Sequence, residues 1–121
     1  MARSRKSAKS AGTAFETLTA NYLREALNND NIERLRTSGA LDRGDIGNVR
    51  LPNGELVAVE CKDLGGKYEI GPWLNEVETE RINYNAVAGV VVAKRRGHGK
   101  PEDQVVVMTM RDLAVLIRGE G

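Results

Sequence analysis

Residues 44–63, GDIGNVRLPNGELVAVECKD, set two runs of strand composition on either side of Pro52-Asn53-Gly54. Asn and Gly tolerate the positive φ angles of a tight turn, so the stretch predicts a β-hairpin. Side chains alternate faces along a strand. Glu60 and Lys62 therefore share one face of the second arm, and Val59 and Cys61 share the other. A two-residue Asn53-Gly54 turn pairs Pro52 with Glu55, which places Asp45 across from Lys62 and Gly47 across from Glu60. Opposed Cβ atoms are then about 5 Å apart and diagonal ones about 7 to 8 Å, close enough for Asp45, Glu60 and Lys62 to form one cluster. The glycine opposite Glu60 leaves room for an ion. Two converging carboxylates suit Mg²⁺, which takes oxygen ligands and keeps several waters. A neighbouring lysine can orient or activate one of those waters, or stabilise charge on a phosphate. Two alternatives stay open. Leu51-Pro52-Asn53-Gly54 also fits a three-residue turn ending in a glycine bulge, which sends Asp45 to the Cys61 face unless a second bulge restores it. The charges alternatively form only an Asp45–Lys62 cross-strand ion pair beside a solvated Glu60.

Outward from the hairpin, Thr13-Ala14-Phe15-Glu16 has capping-box spacing, and Phe15, Leu18, Tyr22, Leu23 and Ala26 recur at helical intervals. A helix is expected from Thr13 to about NNDN, residues 28–31. Residues 1–12 lack apolar periodicity and are expected to form a mobile basic arm, followed by one domain over residues 13–121. Ile32–Thr37 alternates like a short strand, with a second helix capped by Asp30 and Glu33 as the other reading. Gly71-Pro72 opens a helix running to about Asn85, with Glu76, Glu78 and Glu80 favouring its N-terminal half. AGVVVA, Ala88 to Ala93, is apolar on both faces like a buried central strand. A turn over Gly97–Pro101, a strand in QVVVM and a closing helix from Thr109 with Leu113, Leu116 and Ile117 complete the chain. The order α, β, β, β, α, β, β, α predicts an α/β fold, a mixed sheet with helices packed on it.

The chain has 121 residues, 40% hydrophobic and 29% charged, enough for one domain with its own core. No run approaches the roughly 18 apolar residues of a membrane span. The N-terminus is basic without an apolar region behind it, so a cytoplasmic location is expected. One cysteine and one histidine exclude a disulfide framework and leave any metal to oxygen ligands. Cys61 reads most simply as a small core residue, since a nucleophilic thiol would want a histidine partner. The net charge of +1 hides two basic groups, Arg3, Arg5, Lys6 and Lys9 before the first acid, and Lys94, Arg95, Arg96 and Lys100 around a glycine-rich turn. Such groups suggest a polyanion, nucleic acid above all; the other reading is a solvated tail and a polar loop.

Gly44-Asp45-Ile46 and Glu60-Cys61-Lys62, separated by a hairpin, resemble the signature of the PD-(D/E)XK nucleases. The likeness to the archaeal-type Holliday junction resolvases of that superfamily extends over most of the chain, through KSAKSAGTAFE, RTSGALDRGDI and GVVVAK. It implies a restriction-endonuclease-like mixed central sheet flanked by helices. It implies that Asp45 and Glu60 bind Mg²⁺ or Mn²⁺ with the Cys61 carbonyl as a further ligand, that Lys62 positions the attacking water, and that Glu16 supplies an additional acid. For Glu16 the capping box is the competing role. The same resemblance brings Arg36, Thr37, Ser38 and Arg43 to the DNA, with the two basic groups holding phosphates. Symmetric cleavage of a four-way junction needs two sites related by a two-fold axis, so a homodimer is implied. Gly44 stands where the motif has Pro, and the spacing from acid to turn is longer than in the archaeal proteins. Another restriction-like or repair nuclease and a non-catalytic DNA-binding module remain the alternatives.

Overall fold

A computed structural model describes residues 3–36 and 41–121. It forms a five-stranded mixed sheet and three α-helices among the described residues, an α/β architecture compatible with the restriction-endonuclease-like fold. In chain order these are α1 (Arg5–Ala26), β1 (Glu33–Arg34), β2 (Ile46–Gly47), β3 (Val57–Lys62), α2 (Ile70–Asn83), β4 (Ala88–Ala93), β5 (Val105–Val107) and α3 (Met110–Arg118). The strands lie side by side in chain order. β2 runs antiparallel to both of its neighbours β1 and β3, β3 and β4 are parallel across the α2 crossover, and β5 returns antiparallel to β4. Thr37 and Ser38, expected at DNA, lie outside the described residues.

Alternation along β3 and β4 divides the core between two faces. Val57, Val59, Ala88 and Val90 pack with Ala20 of α1 and Val115 of α3, while Cys61, Leu23 and Leu116 border that cluster. On the opposite face Val91 and Ala93 pack against Trp73 and Val77 of α2. β4 is thus apolar on both sides because helices cover both, as its composition requires. Close packing of α2 is possible because position 89 is glycine: a Cβ there would come 3.2 Å from the Val77 carbonyl oxygen.

α1 begins at Arg5, eight residues before the expected start. Ser4 caps it, accepting from the Ser7 N–H at 3.1 Å. Residues 5–12, expected to lie ahead of the helix, are therefore its first turns. Arg, Lys and Ala form helix readily without an apolar stripe, so the periodicity that marked Thr13 as a start was blind to them. Thr13 sits mid-helix with its carbonyl accepting from the Thr17 hydroxyl at 3.0 Å, which removes the capping-box role for Glu16. The buried stripe is Phe15, Thr19 and Ala20; Tyr22 and Ala26 are exposed. α3 starts as expected, with Thr109 accepting from the Asp112 N–H.

The hairpin closes through a three-residue loop, Pro52-Asn53-Gly54, with Leu51 and Glu55 bonded across it and Gly54 at φ 92°. A glycine in that left-handed region is the bulge alternative, so the two-residue turn is corrected. Arg50 then opposes Leu56, yet Ile46 opposes Val59, so the first arm holds one residue more than the second. Asn48, at φ 65°, marks this second bulge. Its N–H donates to the Tyr84 hydroxyl at 3.0 Å, its carbonyl accepts from the Asn29 amide at 3.2 Å, and its side chain donates to the Asn31 carbonyl at 3.0 Å. Side chains thereby satisfy backbone groups that the ladder has released.

Candidate metal centre

The second bulge decides where Asp45 goes. Ile46 lies opposite Val59, not Cys61 as the two-residue turn required, so Asp45 does not face Lys62. Its N–H donates to the Val59 carbonyl at 2.8 Å, and its Oδ2 accepts from the Cys61 N–H at 2.8 Å. The acid is thus fastened onto β3 between Glu60 and Lys62. Gly44 makes this approach possible, because its φ is 94° and a Cβ would stand 2.8 Å from the Val59 oxygen. Proline, locked near −65°, cannot occupy that position. Gly47 does not open the expected space for an ion. It opposes Glu33, and a Cβ on it would meet the Leu35 side chain at 2.5 Å.

Glu60, 4% exposed, projects to the α2 side of the sheet. There Lys62 Nζ lies 2.8 Å from Glu76 Oε2 and 3.8 Å from Glu60 Oε2, so its principal partner is a helix glutamate and not Asp45. Asp42, Glu60, Glu76 and Glu80 each present an oxygen, and all four oxygens lie within 4.8 Å of one another. These four residues are placed so that they could hold a metal ion. Of the ligands expected from the sequence only Glu60 belongs to the group; Asp45 and Cys61 stand beside it. Glu80 is 1% exposed, and neither of its oxygens receives a hydrogen bond from any donor among the described residues.

So many acids in one place disturb each other's ionisation. Burial first, then contact with the Asp45 and Glu76 carboxyls, drives the Glu60 carboxyl far above the usual range. Glu80 is pushed up to about 7, again by burial foremost, with Asp42, Glu76 and Asp45 adding to the rise and contact with Glu60 offsetting part of it. Burial works against the Lys62 charge, but Glu76, Glu60 and Asp45 outweigh it and raise the ammonium above its ordinary value. Glu16 lies on the α1 side, 3.4 Å from Arg34; burial and the Asp45 charge raise its carboxyl, and Arg34 works in the other direction. Burial, reinforced by Asp45, pushes the Cys61 thiol upward as well, which suits a packing residue and not a nucleophile.

Sequence patterning overlooked Asp42, Glu76 and Glu80 as possible ligands. Glu76 and Glu80 entered only as charges favouring the start of a helix. A signal was present: Trp73, Val77 and Glu80 follow the i, i+4, i+7 spacing of one helix face, which sends Glu80 inward with two core residues. Asp42 reaches the group from the loop before Gly44, where its carboxylate accepts from the Gly44 N–H at 3.0 Å and its carbonyl from the Asn83 amide at 2.9 Å.

The cations expected at DNA differ in availability. Arg5, Lys6, Lys9, Arg36, Arg43, Arg95, Arg96 and Lys100 are exposed. Arg43 lies over the Tyr84 ring, 5.9 Å from its centre. Arg3 is engaged by Asp63 at 3.1 Å, and Lys94 donates to the His98 carbonyl. No helix among the described residues is long and apolar enough to cross a membrane. No protein-family model matches the chain, and neither the curated proteins nor the solved structures contain a significant match.

Proposed function

We propose that this chain is a divalent-metal-dependent DNA endonuclease that hydrolyses phosphodiester bonds in branched DNA, with the four-way junction as its substrate. The observation that carries the proposal is the anchoring of Asp45 onto β3 beside Glu60 and Lys62. It joins the two halves of the motif on neighbouring strands. Asp45, Glu60 and the Cys61 carbonyl would hold Mg²⁺ or Mn²⁺, and the crowded, buried carboxyl of Glu60 fits a group whose charge is completed by a cation. A bound ion there supplies Lewis-acid polarisation of the phosphate and a more acidic water.

Lys62 is held by Glu76 in the ammonium form, so it donates hydrogen bonds to the incoming water or to a phosphoryl oxygen and does not accept a proton. Glu16 stands on the far side of Asp45, where its carboxyl can take part in positioning water. Arg5, Lys6, Lys9, Arg95, Arg96 and Lys100 hold backbone phosphates without reading bases. Two copies related by a two-fold axis cut the paired strands of a junction. The outer face of α3 is suited to join them: core packing accounts for Val115, whereas Met110 and Ile117 are 85% and 77% exposed.

The test compares four-way junction, linear duplex and single-stranded DNA in Mg²⁺ and Mn²⁺. Symmetric nicks across the junction support the proposal. Comparable cutting of linear duplex makes the protein a different nuclease, and binding without cleavage makes it a DNA-binding module. Asp45→Asn and Glu60→Gln should each lower cleavage by about a hundredfold or more while leaving junction affinity nearly unchanged, since they remove metal ligands and not phosphate contacts. Cleavage retained by either variant removes that residue from the site.

A further inference from the structure

The acid cluster between β3 and α2 contains more carboxylates than the proposed nuclease centre requires. Beyond Glu60 it contains Asp42, Glu76 and Glu80, none of which touches Asp45 through a hydrogen bond. Glu80 is the informative member. Its carboxylate is 1% exposed and receives no hydrogen bond from an amide, hydroxyl or ammonium group among the described residues, so it has lost its water and gained only the contact with the Glu60 carboxyl. Protonation would give one of its oxygens a hydrogen to share and leave the other bare. A cation supplies what is missing, meeting the charge and the lone pairs of Glu80 and its carboxyl neighbours together.

We infer that Asp42, Glu60, Glu76 and Glu80 form a second cation position, on the α2 side of Glu60, that takes Ca²⁺ in preference to Mg²⁺. Two features select the ion. All the ligand atoms are carboxylate oxygens, which suit hard divalent cations. Moreover, Mg²⁺ keeps most of its waters and uses one or two carboxylates, whereas a set of four belongs to the flexible, many-ligand coordination of Ca²⁺. Asp42 is exposed, Glu76 is partly so and Glu80 is buried, so the four carboxylates run from the surface to the interior. Lys62 borders the pocket through Glu76 at 2.8 Å, so an ion held here would compete with Lys62 for that glutamate.

This inference does not depend on the nuclease proposal, because the pocket holds its ion whether or not DNA is cut. Isothermal titration of the full chain with CaCl₂ and with MgCl₂, after chelator treatment, tests it on the wild type, Glu80→Gln, Asp42→Asn and Asp45→Asn. The expected result is saturable Ca²⁺ binding by the wild type, tighter than Mg²⁺ binding, weakened at least about tenfold in Glu80→Gln and in Asp42→Asn. Asp45→Asn should bind Ca²⁺ within about twofold of the wild type, since its carboxylate is outside the set. Asp42 is exposed, so its variant guards against a folding defect at Glu80. Equal Ca²⁺ affinity in the wild type and Glu80→Gln overturns the inference, as does a loss in Asp45→Asn as large as that in Glu80→Gln. Cleavage by any of these proteins bears only on the nuclease proposal.

Discussion

Glu80 is the residue whose ionisation most directly tests the pocket. Its carboxyl rises from about 4.5 to about 7 on folding, mainly through burial, with Asp42, Glu76 and Asp45 pushing in the same direction and Glu60 partly opposing. The folded chain therefore holds the proton more tightly than the unfolded chain. Below about 4.5 both states are protonated and the contribution is fully present; it is lost as pH climbs through about 7. In chelator, the stability of the wild type minus that of Glu80→Gln should fall by about 3 kcal/mol between those limits. Urea denaturation of both proteins at intervals across the range measures it, and a flat difference contradicts the burial of an ionisable Glu80. The sequence exposed one half of this site and hid the other for a physical reason. Glu60 and Lys62 announce themselves because a charge interrupts an apolar strand. Glu80 sits in a helix already rich in acids, where a charge looks ordinary until the Trp73–Val77 stripe is followed one step further.

Among the elements, the β2–β3 hairpin does most to assemble the site, and it does so through the irregularity at Asn48. The sequence makes the hairpin legible, since Asn53-Gly54 between two apolar runs has few other uses. It does not reveal the pairing, because Asn48 adopts φ 65° in company with Tyr84, Asn29 and Asn31, residues far from it in the chain or on other elements. Helix limits show the same contrast. Thr109 declares the start of α3 because its cap leads directly into an apolar stripe, whereas Ser4 caps α1 just as locally but ahead of basic and small residues that carry no stripe. Asn tolerates the left-handed region and a β-branched residue does not. Asn48→Val should therefore cost roughly 2 to 3 kcal/mol, from backbone strain and the lost side-chain hydrogen bond to the Asn31 carbonyl, and Asn48→Gly, which loses that bond without the strain, distinctly less. Urea midpoints of the two variants give the comparison. If Val were tolerated as well as Gly, the bulge would not depend on this residue.

Over the whole molecule, a net charge of +1 offers no general attraction to nucleic acid, so binding has to come from where the cations stand. Residues far apart in sequence converge here. Arg3 reaches Asp63, the backbone at Gly66 lies against Arg96, and Lys94 shares a shallow depression with Ala11, Phe15 and Asp63. The start of α1 and the loop after β4 thus belong to one side of the protein, a relation invisible in the sequence because it needs the parallel β3–β4 pairing to bring them together. The structure also subtracts from the expected cations, since Arg3 and Lys94 are occupied by Asp63 and the His98 carbonyl. Six exposed cations remain from the two groups: Arg5, Lys6, Lys9, Arg95, Arg96 and Lys100. Each phosphate they neutralise contributes about 0.9 to the slope of log K against log salt concentration. Replacing Arg95, Arg96 and Lys100 by Ala should lower that slope by up to about 3, and replacing Arg5, Lys6 and Lys9 by a similar amount. If both groups grip one DNA arm, the sixfold variant loses about 5 in slope, close to the combined loss. Junction binding titrated by fluorescence anisotropy between 50 and 200 mM salt, roughly the range over which such contacts dominate, provides the slopes. A sixfold variant that kept the wild-type slope would show that neither group contacts the phosphates, and a loss confined to one group would reduce the DNA surface to that group alone.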